Sequence, residues 1–167
     1  MDPRQLSREL RQGQTADLTR RRWIIGLSLL GTAMGQVVSL YQTGIIQHLP
    51  DPPLSFFNSD KVDASDYAYR RFRTPDALMM VSNYGVTAWL AGAGGKDRAR
   101  ETPMLPIAMG LKTVIDSLTA LELAREEWNE NKAFCAYCQV ATLCSLLSVA
   151  LSMPEMGSAI QTLRGRR

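Results

Sequence analysis

Cysteine and histidine are scarce in this chain of 167 residues, with three of the first and one of the second. Three cysteines exclude a multi-disulfide scaffold, and the two spaced C-x-x-C, Cys135 and Cys138, read as a redox pair or as half a metal site, with two small packed apolar residues as the plain alternative. A structural zinc site wants four ligands, and only His48 and Cys144 remain to complete one. Cys144 falls about two turns deeper in an apolar segment, where it reads as a small packed residue, so no metal is expected. Charge is absent from residues 23–41 and from residues 134–153. The net charge of +3 comes from arginines in short blocks beside apolar stretches, not along one polar face, which argues against a nucleic-acid surface. A mean hydropathy of −0.11 reflects polar residues gathered at the ends and in two loops. A chain of this length is one domain.

Residues 1–22 are polar, end in Arg20-Arg21-Arg22, and read as a frayed or surface-lying cytoplasmic tail. Residues 23–41 have the length needed to cross a hydrocarbon core, with Trp23 and Tyr41 as aromatic ends. A secretory signal peptide is the alternative for this basic-then-apolar run, but the stretch is long and lacks a small-x-small cleavage site. Residues 44–74 form a long connection with Pro50, Pro52, Pro53 and the pair Phe56-Phe57. Loops of that length are functional or folded over a face of the domain. A lid contacting lipid or quinone through Leu54, Phe56 and Phe57 is one reading, and plain packing is the other. A second apolar stretch, 77–95, follows Pro75, which suits a first helical turn, and ends in glycines.

After the basic turn Lys96-Asp97-Arg98-Ala99-Arg100, Pro103 opens a third helical segment in which Lys112 and Asp116, four residues apart, share a face and can pair. Alone this segment would suit a soluble amphipathic helix; its neighbours favour a membrane bundle. Residues 125–132 read as an acidic linker, and residues 134–153 as a fourth span that Pro154 is expected to end. The fold class is therefore all-α: an integral membrane four-helix bundle over 23–153, with a long outer loop between helices 1 and 2 and a second cytoplasmic tail over 154–167. The alternative is a soluble helical bundle.

Short Lys/Arg-rich loops stay in the cytoplasm. Four spans place the N-terminal tail, the 96–101 turn and the C-terminal tail on one side, with Arg4, Arg8, Arg11, Arg20, Arg21, Arg22, Lys96, Arg98, Arg100, Arg164, Arg166 and Arg167. That side is expected to be inside, although the outer loop carries Lys61, Arg70, Arg71 and Arg73. Cys135 and Cys138 then meet the outer face, the periplasmic one in a bacterial inner membrane. A C-x-x-C opening a helix sets its first sulfur near unpaired N–H groups, where the helix dipole favours the thiolate, the attacking form. The second sulfur lies on the same face and can close a disulfide, and the two-electron partner available in lipid is a quinone, held as ligands usually are in an apolar pocket with a few polar groups.

The order of four spans, the long outer loop, Pro75-Asp76-Ala77-Leu78 opening the second span and Ala133-Phe134-Cys135-Ala136-Tyr137-Cys138 opening the fourth resemble the vitamin K epoxide reductase family, including its bacterial quinone-linked homologues. The resemblance covers residues 20 to 155 or so. It implies a membrane thiol-quinone oxidoreductase, with Cys135 and Cys138 catalytic, ubiquinone or menaquinone as substrate, and a periplasmic thioredoxin-like dithiol protein as partner. Cys135 would form the mixed disulfide and Cys138 resolve it, although exchange chemistry allows the reverse. Asp76 matches a polar position that contacts the quinone oxygen, where the family more often has an amide; Asn83 and Thr142 are the other candidate quinone contacts. Two features depart from the family. No cysteine pair stands in the outer loop, where Val62-Asp63-Ala64-Ser65 occurs instead, and Thr142 replaces an aromatic residue of vertebrate members. Relay within one chain is thereby excluded: a separate dithiol protein must reach Cys135, or the chain is a non-catalytic quinone-binding or accessory protein.

Overall fold

The computed structural model describes residues 2–165, so Arg166 and Arg167 of the basic cluster lie outside the described residues. Every regular element among the described residues is helical: α1 (Pro3–Gln12), α2 (Ala16–Gln42), α3 (Ser59–Asp63), α4 (Asp66–Tyr69), α5 (Asp76–Gly92), α6 (Arg98–Glu101), α7 (Met104–Asn131) and α8 (Ala136–Gly165). Three of them, α2, α7 and α8, are long and apolar enough to cross a membrane. Helix α5 packs closely on α2, α2 on α8 and α8 on α7, while the α5–α7 seam is the loosest of the four.

The packing is that of a body meant for lipid. Trp23, Leu29, Trp89, Ile115, Leu118 and Leu143 point outward, whereas Ser28, Ser145, Ser148, Ser152 and Gly31 are buried between helices. Small residues inside let backbones approach, and large apolar ones outside would be a liability in water. This inversion weighs against a soluble bundle. Gly31 shows the closeness required: a Cβ there would come within 2.5 Å of the Tyr84 ring on α5.

Helix α5 has 17 residues, about 26 Å of rise, and its C-terminal carbonyls are closed by two arginines from other elements. Arg21 on α2 donates to the carbonyls of Ala91 (2.7 Å), Ala93 (2.9 Å), Gly94 (3.0 Å) and Gly95 (2.9 Å). Arg98 on α6 donates to Leu90 and Ala93 and makes a two-pronged bond to Glu155 on α8, at 2.8 and 2.7 Å. Both arginines, assigned by sequence to a solvated inner flank, are buried.

Three expectations change. The acidic stretch 125–131 is not a linker but the end of α7, because it contains no glycine or proline and its acids find partners: Arg71 on Glu126 and Arg70 on Glu130. Only at Lys132, with φ of 52°, does the helix stop. Pro154 does not end the last helix, which runs on to Gly165 with the proline inside it. Packed membrane helices tolerate proline, and here the next residue, Glu155, is fixed by Arg98. At the other terminus α2 already begins at Ala16, seven residues before the uncharged stretch, with the Thr15 side chain capping the Leu18 N–H; α1 ahead of it buries no residue.

Candidate functional site

The segment 44–74 folds over the end of the bundle where α8 begins. Tyr41 donates to the Asp60 carbonyl, Tyr69 to that of Gln42, Tyr67 to that of Leu123, and Lys61 to that of Asn131. Two backbone bonds, Phe134 N–H to the Phe56 carbonyl (2.8 Å) and Asn58 N–H to the Phe134 carbonyl (3.0 Å), join it to the strand-like residues just before the C-x-x-C. Ser59 completes the joint: its Oγ accepts from the Ala136 N–H at 3.0 Å and bonds Asp51. The loop and the start of α8 are thus one structural unit.

Cys135 immediately precedes α8, and its sulfur accepts from the Cys138 N–H at 3.2 Å, the helix-start geometry expected from the sequence. The surroundings differ from the expectation of an easily formed thiolate. Cys135 is fully buried, with Asp63 of α3 beside its sulfur and Glu127 of α7 accepting its backbone N–H. Burial and two neighbouring acids oppose negative charge on that sulfur, against the pull of the helix N-terminus. Nor can an outside protein touch Cys135 with the loop in this position.

The carboxylate oxygen of Asp63 and the sulfurs of Cys135 and Cys138 lie within 4.8 Å of one another. All three cysteines are free thiols. As a ligand set the group offers two soft sulfurs and one oxygen, one short of a closed tetrahedral zinc site. The other ligands the sequence offered do not join it: His48 pairs with Asp60 at 2.5 Å, and Cys144 packs with Tyr84 and Ala141. Asp63 is 2% exposed and one of its oxygens, Oδ2, has no hydrogen-bond partner. Burial, first of all, pushes its carboxyl up to about 7; the Cys135 thiol lowers it, and Asp76, Asp51 and Asp60 raise it further. Glu127 is better satisfied, accepting from the Cys135 N–H and from Gln139 Nε2 at 3.1 Å.

Cys138, unlike Cys135, lines a cavity of about 810 Å³ under the loose α5–α7 seam. Asp76, Asn83 and Thr142 line it too, with Met80, Ala120 and Leu123 among the apolar residues. Leu78, Val86 and Ile115 belong both to its wall and to the exposed apolar surface, so its mouth faces the direction of lipid. Asp76 Oδ1 accepts from Gln42 Nε2 at 2.8 Å, and Gln42 Oε1 in turn accepts from the Ala77 N–H. Asn83 Oδ1 accepts from Lys112 (2.9 Å), which also pairs with Asp116 at 2.5 Å as the four-residue spacing suggested. Thr142 donates to the Cys138 carbonyl. The loop covers the cavity with Val62, Asp63, Tyr67, Arg71 and Thr74; Leu54, Phe56 and Phe57 are not in its wall. Asp63 and Glu127 escaped the sequence reading, one lying in a loop without periodicity and the other in an apparent linker. The one available signal was that an Asp stood where loop cysteines were sought.

The model of the vitamin K epoxide reductase family matches residues 22–153, most of the chain, and the protein belongs to that family. No curated protein and no solved structure matches the chain. Membership makes it a membrane oxidoreductase of a quinone-linked family.

Proposed function

We propose that this member of the vitamin K epoxide reductase family couples dithiol/disulfide exchange at Cys135 and Cys138 to a membrane quinone in the cavity beside them. The observation carrying the reading is that Cys138 stands in the wall of an apolar cavity whose mouth faces lipid, with Cys135 directly behind it. The cavity suits such a ring: mostly apolar, with the few convergent polar groups that fix orientation. Asp76, Asn83 and Thr142 are the groups assigned to quinone oxygens. Oxidation of the pair breaks two S–H bonds and forms one S–S bond, and two electrons and two protons pass to the quinone, giving a hydroquinone. The disulfide is then reduced by a thioredoxin-like dithiol protein, which needs the loop to open because Cys135 is covered. The sharing of roles proposed here, with Cys138 toward the quinone and Cys135 toward the thiol partner, is supported by Cys138 alone of the two lining the cavity.

In this reading α5 joins α2, α7 and α8 as the second of four spans, its last carbonyls satisfied by Arg21 and Arg98. The protein is multi-pass in the inner membrane, with both termini inside and the C-x-x-C at the outer face. A second reading, a quinone-binding accessory protein without turnover, is favoured by one feature: the covered Cys135 has no loop cysteine to relay electrons to it.

Thiol labelling in membrane vesicles, with and without oxidised ubiquinone or menaquinone, separates the readings. Turnover requires quinone-dependent loss of labelling at both cysteines, abolished in Cys138→Ser and Cys135→Ser. Quinone binding with labelling unchanged in the wild type would leave the accessory reading.

A further inference from the structure

Closing the Cys135–Cys138 disulfide releases a proton from a sulfur that touches neither solvent nor the cavity. Water cannot take that proton, so a protein group must. The candidates are the two acids beside the sulfur. Glu127 has its carboxylate engaged by two donors, the Cys135 N–H and the Gln139 amide, and so holds the backbone in place. Asp63 has one oxygen, Oδ2, with nothing on it and a carboxylate oxygen within 4.8 Å of both sulfurs, while itself bordering the cavity. A buried carboxylate oxygen left without a donor is costly, and structures keep such groups where they have work to do.

Resting on the thiol-quinone reading, we infer that Asp63 is the proton acceptor for Cys135. Cys138 gives its proton to one quinone oxygen as its sulfur bonds to the quinone ring; the Cys135 sulfur then bonds to that of Cys138 while the ring–sulfur bond breaks and its electron pair stays on the ring. The Cys135 proton moves to the Asp63 carboxylate, which passes it through the cavity to the second oxygen and completes the hydroquinone. In the reverse direction Asp63 returns a proton to the Cys135 leaving group. The position of Asp63 is built in: α3 starts with Asn58 capping the Lys61 N–H and is pinned by Ser59 to Asp51 and to Ala136 at the start of α8. The charged and titratable groups facing it are Tyr41 from α2, Asp51 and Asp60 from the loop, Tyr69 from α4, Asp76 from α5, Glu127 from α7, and the two cysteines. Burial first, and then the surrounding acids, oppose a permanent charge on Asp63, so its carboxyl gains and loses a proton near neutrality, where a proton carrier is most effective.

The test uses the full chain in detergent micelles with a short-chain quinone, following thiol oxidation from pH 5 to 9 in wild type, Asp63→Asn and Asp63→Glu. The expected result is a loss of roughly 100-fold in Asp63→Asn at pH 7, with the wild-type rise in rate through about pH 7 absent from the variant, and partial rescue in Asp63→Glu. Equal rates and equal pH profiles in wild type and Asp63→Asn would overturn the assignment while leaving the thiol-quinone reading intact. A wild type that quinone does not oxidise would instead remove that reading. In that case infrared difference spectra of wild type, oxidised with diamide and reduced with dithiothreitol, still decide about Asp63. A carboxyl band that shifts with the state of the cysteines supports proton sharing, and one that stays put refutes it.

Discussion

The two ends of the bundle bury charge in opposite ways. Beside the last turn of α5, Arg21 and Arg98 are enclosed, yet well supplied with partners: four carbonyls for one; two carbonyls, both oxygens of Glu155 and the Met109 sulfur for the other. At the start of α8, Asp63 is just as enclosed and keeps an oxygen unpaired, next to two free thiols. Buried charges satisfied on all sides hold helices together; a buried group left short is where protonation can change cheaply. The first end is scaffold, and the second is poised for chemistry.

The contrast can be broken most severely at the scaffold end. Glu155→Ala leaves Arg98 buried without its partner and is expected to cost about 3–5 kcal/mol, seen as a lower midpoint in thermal unfolding in detergent. Replacing the pair together, Arg98→Met with Glu155→Leu, is expected to recover only part of that loss: the buried charge is gone, but the Leu90 carbonyl loses its Arg98 donor. If the single variant were as stable as wild type, the clamp would not be what closes α5.

At the other end the effect has the opposite sign. The Asp63 carboxyl titrates at about 7 in the folded chain against an ordinary value near 3.8, so between those values the folded protein holds a proton that the unfolded chain has lost. Its contribution to stability therefore falls as pH rises from about 4 to about 7, by about 1.4 kcal/mol per pH unit at most, and is flat above. Asp63→Asn removes this term, so the difference in stability between variant and wild type should grow in the variant's favour across that window. Unfolding midpoints measured from pH 4 to 8 read it directly, and parallel curves would show that Asp63 is not burdened by burial. The smallest effect sharpens the comparison at the loop: Tyr67→Phe removes one bond to the Leu123 carbonyl. A loss of about 0.5–1.5 kcal/mol is expected, read as faster amide exchange in 59–69 with the Arg21–Arg98 end unchanged.

Much of the site was legible in the sequence because its parts are local. Cys135 and Cys138 are three residues apart, so any helix starting there brings their sulfurs together, and the Lys112–Asp116 pair follows from the same helical spacing. Asp76, Asn83 and Thr142 were named from family resemblance, and they share the cavity with Cys138 because α5 and α8 face each other across it. Asp63 and Glu127 could not be found that way: they lie 72 and 8 residues before Cys135, one in a loop of no period and the other beyond the apparent end of a helix. Pro154 misled for a related reason, since a local helix breaker yields where packing fixes the next turn.

By itself the sequence determined the helical class, the apolar segments, the family and the closeness of the C-x-x-C sulfurs, all of which depend on composition or on spacing within one element. Tertiary structure alone decided which charges are buried and which of those are paired. It also decided which sulfur faces the cavity and which acid stands against the other. Those properties depend on what is brought near from elsewhere in the chain, because the energy of a charge is set by its surroundings and only the assembled fold supplies them.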